Sequence, residues 1–216
     1  MSSFKFSIDL LESDKQIADI ILKELVQELN SRLTPLYKEA TSYIRQTVLD
    51  SIKAQPEYIS LLSGSLKYEF GLPDSSSRLN AILNTIDQSL FVEYKEPRIN
   101  GQNINGGFFI GMVNSDFSDI LSLGAATLVT EKGSPLEWLK WLLLEGDKMI
   151  IGGYDFKIGN FKNSRTGGGI MSPSFSGSWR VPPEFAGTME NNWITRAIEA
   201  IESNIDNYLV SLLQKL

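Results

Sequence analysis

The chain has 216 residues, a formal net charge of -6 at pH 7, and neither cysteine nor histidine. The length fits one large domain. The excess of acidic over basic residues argues against a protein that binds nucleic acid over its whole surface. The missing residue types exclude disulfides, thiolate zinc sites, cysteine nucleophiles and histidine general bases. Carboxylates, lysines, tyrosines and hydroxyls remain as groups that could carry chemistry.

The sequence carries no sign of a targeting or membrane segment. The first residues, MSSFKFSIDLLESDKQ, are acidic and mixed, so we expect no secretory signal peptide. The longest apolar run, around Leu142–Leu144, is far too short to cross a bilayer. We therefore expect no contact with a membrane.

The N-terminal quarter of the chain predicts helices. Residues 4, 6 and 8 are apolar and alternate with polar ones, which favours a short edge strand. From Asp14 onward, apolar residues recur at helical spacing and predict an amphipathic helix. Thr34 and Pro35 indicate a break, because threonine caps helices and proline fits their first turn. A second helix is expected to run from there to Pro56.

The middle of the chain predicts short helices followed by a hairpin. Gly64 is expected to separate two short helical turns, and a Gly/Asn-rich loop is expected to connect two strands. The predicted elements are helical turns within Pro56–Leu72, a helix over Arg78–Asp87, a strand over Leu90–Tyr94, a hairpin loop over Pro97–Gly107, a strand over Phe108–Val113, and an irregular stretch over Asn114–Gly133 with a possible strand at Ala125–Thr130.

The most apolar stretch, Leu136–Ile158, predicts the centre of the core. Ser134 and Pro135 are expected to start a helix of about three turns. Gly146 is expected to end it in a left-handed conformation. The strand that follows alternates polar and apolar residues, and Gly152-Gly153 predicts a break or bulge in it.

A locally basic region follows this stretch. Residues Phe161–Gly187 predict loops, and no acidic residue lies between Asp155 and Glu184. The candidate contact residues of this basic strip are Lys157, Lys162, Arg165, Trp179 and Arg180. The strip is either a solvated hairpin with scattered cations or a surface turned toward an acidic partner or a phosphate backbone. Its triple glycine lacks the context and the Gly-Lys-Ser/Thr ending of a phosphate-binding loop.

The C-terminal segment predicts one long amphipathic helix, capped by Thr188 or Asn191. The whole chain therefore predicts a single α+β domain over residues 1–216. Its parts are a helical arm over 1–56, a mixed core with a curved, mostly antiparallel sheet and long hairpin loops over 57–187, and the last helix over 188–216.

Acidic pairs are the remaining candidates for catalysis. Asp116 with Asp119, or Glu145 with Asp147, could in principle bind magnesium or serve a glycosidase. Carboxylates so close in sequence are usually solvated, and no ordered set of ligands surrounds them. We therefore expect no enzymatic activity, no metal and no cofactor.

Three segments carry a resemblance to a known family. WLLLEGDKMIIGGYDFKIG, SRTGGGIM and GSWRVPPEFAGTMENNWITRAIEAI resemble a family of tailed-bacteriophage virion proteins, over roughly Gln55 to Ile201. The order of elements, with Ser63-Gly64-Ser65-Leu66 as its anchor, resembles the broader neck and tail-completion proteins. Those proteins combine a long N-terminal helix, a curved antiparallel sheet and a last helix.

The resemblance implies a structural role in head-to-tail joining. Neck and tail-completion proteins form closed, usually six-fold rings between the head connector and the tail tube, and they have no catalytic residues to carry over. The expected partners are further copies of the chain, the neighbouring connector, tube or terminator proteins, and viral DNA that passes without sequence-specific binding. The expected location is the virion neck, after assembly in the host cytoplasm, with the basic strip at the lumen or a partner.

Other classes of function stay open at this point. A tail terminator or minor tail protein would differ in the neighbour that it binds. A carboxylate-based virion hydrolase would need two acids that face one cleft. A host-type binding module would show a stable monomer with a preformed pocket.

Overall fold

Helices and antiparallel strand pairs build the chain, whose computed structural model describes residues 13–114, 116–130 and 133–214. The edge strand predicted at residues 4 to 8 lies outside these ranges. The helices are α1 (Asp14–Lys53), α2 (Pro56–Ser63), α3 (Ser65–Glu69), α4 (Ser75–Ser89), α5 (Ser118–Leu121), α6 (Trp138–Leu143), α7 (Trp193–Glu199) and α8 (Glu202–Gln214), with a 3₁₀ turn at Gly124–Ala126. The strands are β1 (Leu90–Asn100), β2 (Asn103–Met112), β3 (Leu128–Val129), β4 (Pro135–Leu136), β5 (Met149–Ile158) and β6 (Gly169–Arg180).

The N-terminal arm is one helix, so the predicted break at Thr34-Pro35 is wrong. Helix α1 has 40 residues and contains Pro35 in its interior. Tertiary contacts on both sides of the proline keep the helix continuous. Asn30 donates a hydrogen bond to the carbonyl of Pro97 at 3.1 Å, and Tyr37 donates one to the carbonyl of Val92 at 3.0 Å. Both acceptors lie on β1, which therefore holds the two halves of α1 in line.

We expect Pro35→Ala to stabilise the protein, because proline inside a helix removes one backbone hydrogen bond and crowds the preceding turn. The gain in unfolding free energy should reach about 1 to 3 kcal/mol, as the helix-propensity difference indicates. Urea denaturation followed by circular dichroism measures it. A loss of stability would show that the proline sets a bend that the packing of α1 requires.

The predicted division at Gly64 is confirmed. Helices α2 and α3 flank this residue, and a Cβ atom there would lie 2.8 Å from the Cα of Ser60. The Ser60 hydroxyl also accepts a hydrogen bond from the amide of Leu66 at 3.1 Å. The chain turns sharply here because the two helices approach more closely than a larger residue would allow. The next helix, α4, begins three residues earlier than predicted.

The first hairpin is confirmed, but its predicted long loop is wrong. Strands β1 and β2 pair from Leu90↔Met112 to Asn100↔Asn103, so only two residues form the turn. Gly101 has φ of +63°, which suits the first central position of a two-residue hairpin turn. The Gly/Asn-rich sequence therefore continues the strands with a register shift rather than forming an open loop.

A second hairpin replaces much of the loop region predicted over Phe161–Gly187. Strand β6 pairs with β5 from Ile158↔Gly169 to Met149↔Arg180. The ladder shifts register between Gly152 and Tyr154, and Gly153 has φ of +78°, so the predicted bulge is confirmed. The sequence of β6 is rich in serine, glycine and proline, so it does not predict a strand. The strand forms nevertheless, because strand formation depends strongly on the neighbouring strand.

The apolar centre is confirmed, although its helix is shorter than predicted. Helix α6 spans six residues, and four of them are buried. Pro135 does not begin the helix, because it pairs with Val129 in a short ladder. Gly146 does not adopt a left-handed conformation; its amide instead donates to the carbonyl of Gly187 at 3.2 Å. A tertiary contact therefore redirects the chain after the helix.

The C-terminal helix is divided, and its predicted caps are wrong. Asn192 caps α7, since its side-chain oxygen accepts from the amides of Ile194 at 3.0 Å and Thr195 at 3.1 Å. The chain then makes a turn at Ala200-Ile201 before α8 begins. Both helices contact α1. The amphipathic stripe thus continues across two helices rather than along one.

The α+β class is confirmed, and the described residues form one compact domain. Within the described residues the strands form three separate two-stranded antiparallel ladders instead of a single curved sheet. One contiguous apolar core joins α1, the short helices, the hairpin bases and the last two helices. At its centre the ring of Phe70 contacts Trp138, Trp141 and Trp179, with centroid distances of 6.0, 6.3 and 5.5 Å.

Candidate functional site

The residues of the predicted basic strip lie on the β5–β6 hairpin. The four cations among them have exposed side chains: Lys157, Lys162, Arg165 and Arg180. Within the described ranges, none of these four cations forms an ion pair. The hairpin therefore presents positive charge that no acid in the described residues neutralises through an ion pair.

Trp179, the fifth predicted residue, holds the hairpin on the core. Its side chain is only 6% exposed, and its indole N–H donates to Oε2 of Glu69 at 3.0 Å. Its ring meets Phe70 edge to face, with an interplanar angle of 83°. Trp179 is therefore an anchor between β6 and α3, and its ring is turned away from solvent.

An open cleft lies between the hairpin and α3. Its volume is about 540 Å³, and its lining includes the apolar side chains of Phe156 and Met171 from the hairpin and the carboxylate of Glu69. Arg165 also lines it, and the guanidinium reaches the turn after α3, where a Cβ atom on Gly71 would lie 3.7 Å from it. Of the predicted residues, the cleft brings together only Arg165 and Trp179; Lys157, Lys162 and Arg180 lie outside it.

The chemistry of this cleft is limited by its single acid. Glu69 is the only carboxylate among the described residues that line it. Burial raises the pKa of Glu69, although hydrogen bonds from Trp179 and Ser65 oppose that shift. A two-carboxylate hydrolytic site needs a second acid in the same cleft. The cleft therefore does not assemble the pair that such an enzyme requires.

We expect Glu69→Gln to remove one pH-dependent contribution to stability. A raised pKa means that the folded state holds the proton at a pH where the unfolded state has released it. The ionisation of Glu69 therefore lowers the free energy of unfolding as the pH rises from 4.5, the ordinary pKa of a glutamate, through the pKa of Glu69 in the folded state. Glutamine still accepts from the indole but does not titrate. Urea denaturation of both forms between pH 4.5 and 7 measures the difference, and parallel curves would contradict the assignment.

Three of the four acids in the candidate catalytic pairs, Asp116, Asp119 and Glu145, make structural contacts. Asp116 accepts from the amide of Ser118 at 3.1 Å, and Asp119 accepts from the hydroxyl of Ser89. Glu145 pairs with Lys148 at 3.0 Å. No group of three or more potential metal ligands is present in residues 13–114, 116–130 and 133–214.

A buried polar cluster could not be predicted from the sequence. Glu57 is 1% exposed, and its Oε1 accepts from the guanidinium of Arg196, while its Oε2 has no hydrogen-bond partner among the described residues. Burial is the main cause of the raised pKa of Glu57, and Arg196 opposes that shift. Tyr58 packs against Trp193 nearby, with centroids 6.4 Å apart. Since Glu57 and Arg196 lie 139 residues apart, no local pattern could have paired them.

A second surface feature, the acidic groove, lies between α1, β2, α7 and α8. Its volume is about 430 Å³. Its apolar lining residues are Val48, Phe108, Phe109, Ile110, Ile198, Ile201, Ile205 and Leu209, and its acidic ones are Glu199, Glu202 and Asp206. The three acids are exposed, and no cation lines the groove in the described part of the chain. Their spacing of three and four residues along the sequence indicates one helix face, but it does not predict the apolar groove beside that face.

The class of the protein is not identified by similarity. Among the described helices, none has the length and apolar character needed to cross a membrane. Comparisons with protein-family models, with curated proteins and with solved structures return no match. The resemblance to phage virion proteins therefore stays a prediction from the sequence.

Proposed function

We propose that this chain is a non-enzymatic structural protein of a tailed-bacteriophage virion. In this proposal it is a neck or tail-completion protein, and six copies close a ring around the DNA channel between the head connector and the tail. The ring contacts connector and tail proteins above and below, and DNA passes through it without sequence-specific binding. The sequence resemblance suggests this role, and one structural observation supports it.

That observation is the unburied first half of α1. At 1.5 Å per residue, a 40-residue helix is about 60 Å long. Its first buried residue is Leu33. Before that point the helix carries apolar side chains that stay exposed, with Ile20, Ile21 and Leu25 at 55%, 58% and 46%.

An apolar helix face without a partner favours association. Contiguous exposed apolar surface marks sites where proteins meet, and an amphipathic helix normally buries its apolar stripe. In a closed ring, each subunit would cover the stripe of its neighbour through a heterologous contact.

Cryo-electron microscopy of intact particles tests the proposal. The expected result is a ring of this chain between the connector and the first layer of the tail tube. A ring that contacts the tube subunits but not the connector would instead identify a tail terminator, and particles without this chain would overturn the virion role.

A matched pair of variants tests the supporting observation. Ile21→Glu should leave the fold intact and prevent incorporation into particles, because it places a charge in the apolar stripe. Lys23→Glu, on an exposed position of the same helix, should still be incorporated. Equal incorporation of both variants would show that the stripe does not contact a neighbour.

A further inference from the structure

The acidic groove and the basic hairpin are complementary surfaces on one chain. The groove combines an apolar floor with three exposed acids and no lining cation among the described residues. The hairpin, Met149–Arg180, contains four basic residues and one acidic residue, so its charge is about +3. The two surfaces share no lining residue and lie on different elements.

The hairpin also exposes apolar side chains that could fill such a groove. Phe175, at the bulge of β6, is fully exposed at 109% of its reference area, and Ile158 and Met149 are exposed at 69% and 61%. Large apolar residues at these levels lose solvent-exposed area only when another molecule covers them. Two of these residues lie next to cations, at opposite ends of the hairpin: Lys157 precedes Ile158, and Arg180 pairs with Met149 across the ladder.

We propose that the β5–β6 hairpin of one copy docks in the acidic groove of the next copy. This inference rests on the proposed ring, in which it adds a second pair of contact surfaces to the exposed stripe of α1. Phe175, near the middle of the hairpin, enters the groove, and Lys157 and Arg180, toward the two ends of the hairpin, face Glu199, Glu202 and Asp206 at the rim. Because the partners are two different patches, the contact is heterologous and can continue from copy to copy until the ring closes.

Charge complementarity selects a second copy as the occupant. A groove with acids on its rim favours a partner that brings cations beside apolar side chains, and the hairpin offers both. The same electrostatics predict that the contact weakens as ionic strength rises, because rim charges are screened by salt.

Disulfide crosslinking tests the contact directly, since the natural chain has no cysteine. Ser176 lies on the hairpin and Ser203 lies beside Glu202 on α8, and both are exposed. Under oxidation, the full-length chain with Ser176→Cys and Ser203→Cys should form a ladder of multimers. Each single-cysteine variant should form no crosslinked species larger than a dimer. A control pair, Ser76→Cys with Ser203→Cys, moves one cysteine to exposed α4 and should give no ladder.

Charge reversal in the crosslinkable chain tests the complementarity. Glu202→Lys with Asp206→Lys should reduce the ladder about tenfold or more, because like charges then face each other. Lys157→Glu with Arg180→Glu should do the same, and the two reversals combined should restore the ladder. Asp147→Lys with Glu190→Lys changes the net charge equally outside the groove and should leave the ladder intact. Circular dichroism verifies the fold of each variant.

The outcomes separate this inference from the proposed function. A ladder no stronger than that of the control pair, or no recovery in the combined variant, overturns the hairpin–groove contact. If particles nevertheless contain the ring, the proposed function stands and a different surface joins the subunits. A ladder that depends on charge, together with particles that lack the chain, supports the contact and overturns the virion role.

Discussion

Replacing Arg196 with alanine is expected to lower the free energy of unfolding by about 3 kcal/mol. The change leaves the carboxylate of Glu57 buried without its counter-ion. Glu57 is 1% exposed, whereas the side chain of Arg196 is 35% exposed, so the cost arises mainly on the glutamate side. The estimate stands at the lower end of the usual range for buried pairs because water screens the arginine in part.

The loss in Arg196→Ala should depend on pH. Burial raises the pKa of Glu57 and Arg196 lowers it, so the variant should have a higher folded pKa than the natural protein. A carboxyl with a raised pKa binds its proton more tightly in the folded state than in the unfolded state. The folded state therefore gains stability as the pH falls from 7. The deficit of the variant should therefore shrink as the pH falls from 7 toward 4.5, the ordinary value of this group.

Urea denaturation at several pH values measures both effects. Lys53→Ala is the matched control, because it breaks an exposed pair in which Lys53 lies 3.6 Å from Asp50; its effect should stay within about 0.5 kcal/mol. The double variant Glu57→Gln with Arg196→Ala should recover part of the loss, since no charge remains buried. Equal stability of Arg196→Ala and Lys53→Ala would show that the buried pair contributes nothing.

Truncation of Phe70 to alanine is expected to cost about 3 to 5 kcal/mol. Its side chain is 2% exposed, and it contacts three tryptophans that come from α6 and β6. The change removes these ring contacts and leaves a cavity where the hairpin meets the helices. Because the same contact orients Trp179, the hairpin should also lose its fixed position on α3.

Phe175→Ala provides the control for this substitution. It removes the same side chain at a fully exposed position, so the unfolding free energy should change by no more than about 0.5 kcal/mol. Tryptophan fluorescence during urea denaturation reports on both variants, since three of the four tryptophans surround Phe70. Similar effects of the two substitutions would contradict the central position of Phe70 in the core.

Local patterns in the sequence were sufficient for several elements. Gly64 separates two short helices because a side chain there would collide with Ser60, and the bulge at Gly152-Gly153 follows from a glycine that adopts a positive φ. The apolar run of α6 is buried as expected. In each case the interactions that determine the structure connect residues close together in the sequence. Composition and spacing are therefore enough to predict them.

Only the tertiary structure decided the features that depend on distant partners. Helix α1 continues through Pro35 because Asn30 and Tyr37 are both bound to β1, more than fifty residues away. Strand β6 forms from serine- and glycine-rich sequence because β5 supplies its hydrogen-bonding partner.

The two candidate surfaces also combine features that the sequence predicts with features that depend on the tertiary structure. The positive charge of the hairpin could be predicted from the sequence, since it needs only an uninterrupted run without acids. Which of its residues are anchors and which are exposed could not, because the burial of Trp179 depends on Glu69 and Phe70. The acidic groove likewise exists only where α1, β2, α7 and α8 meet. Sequence by itself determined the local conformations and the charge of each segment, while long-range packing decided which segments lie together and which side chains remain exposed.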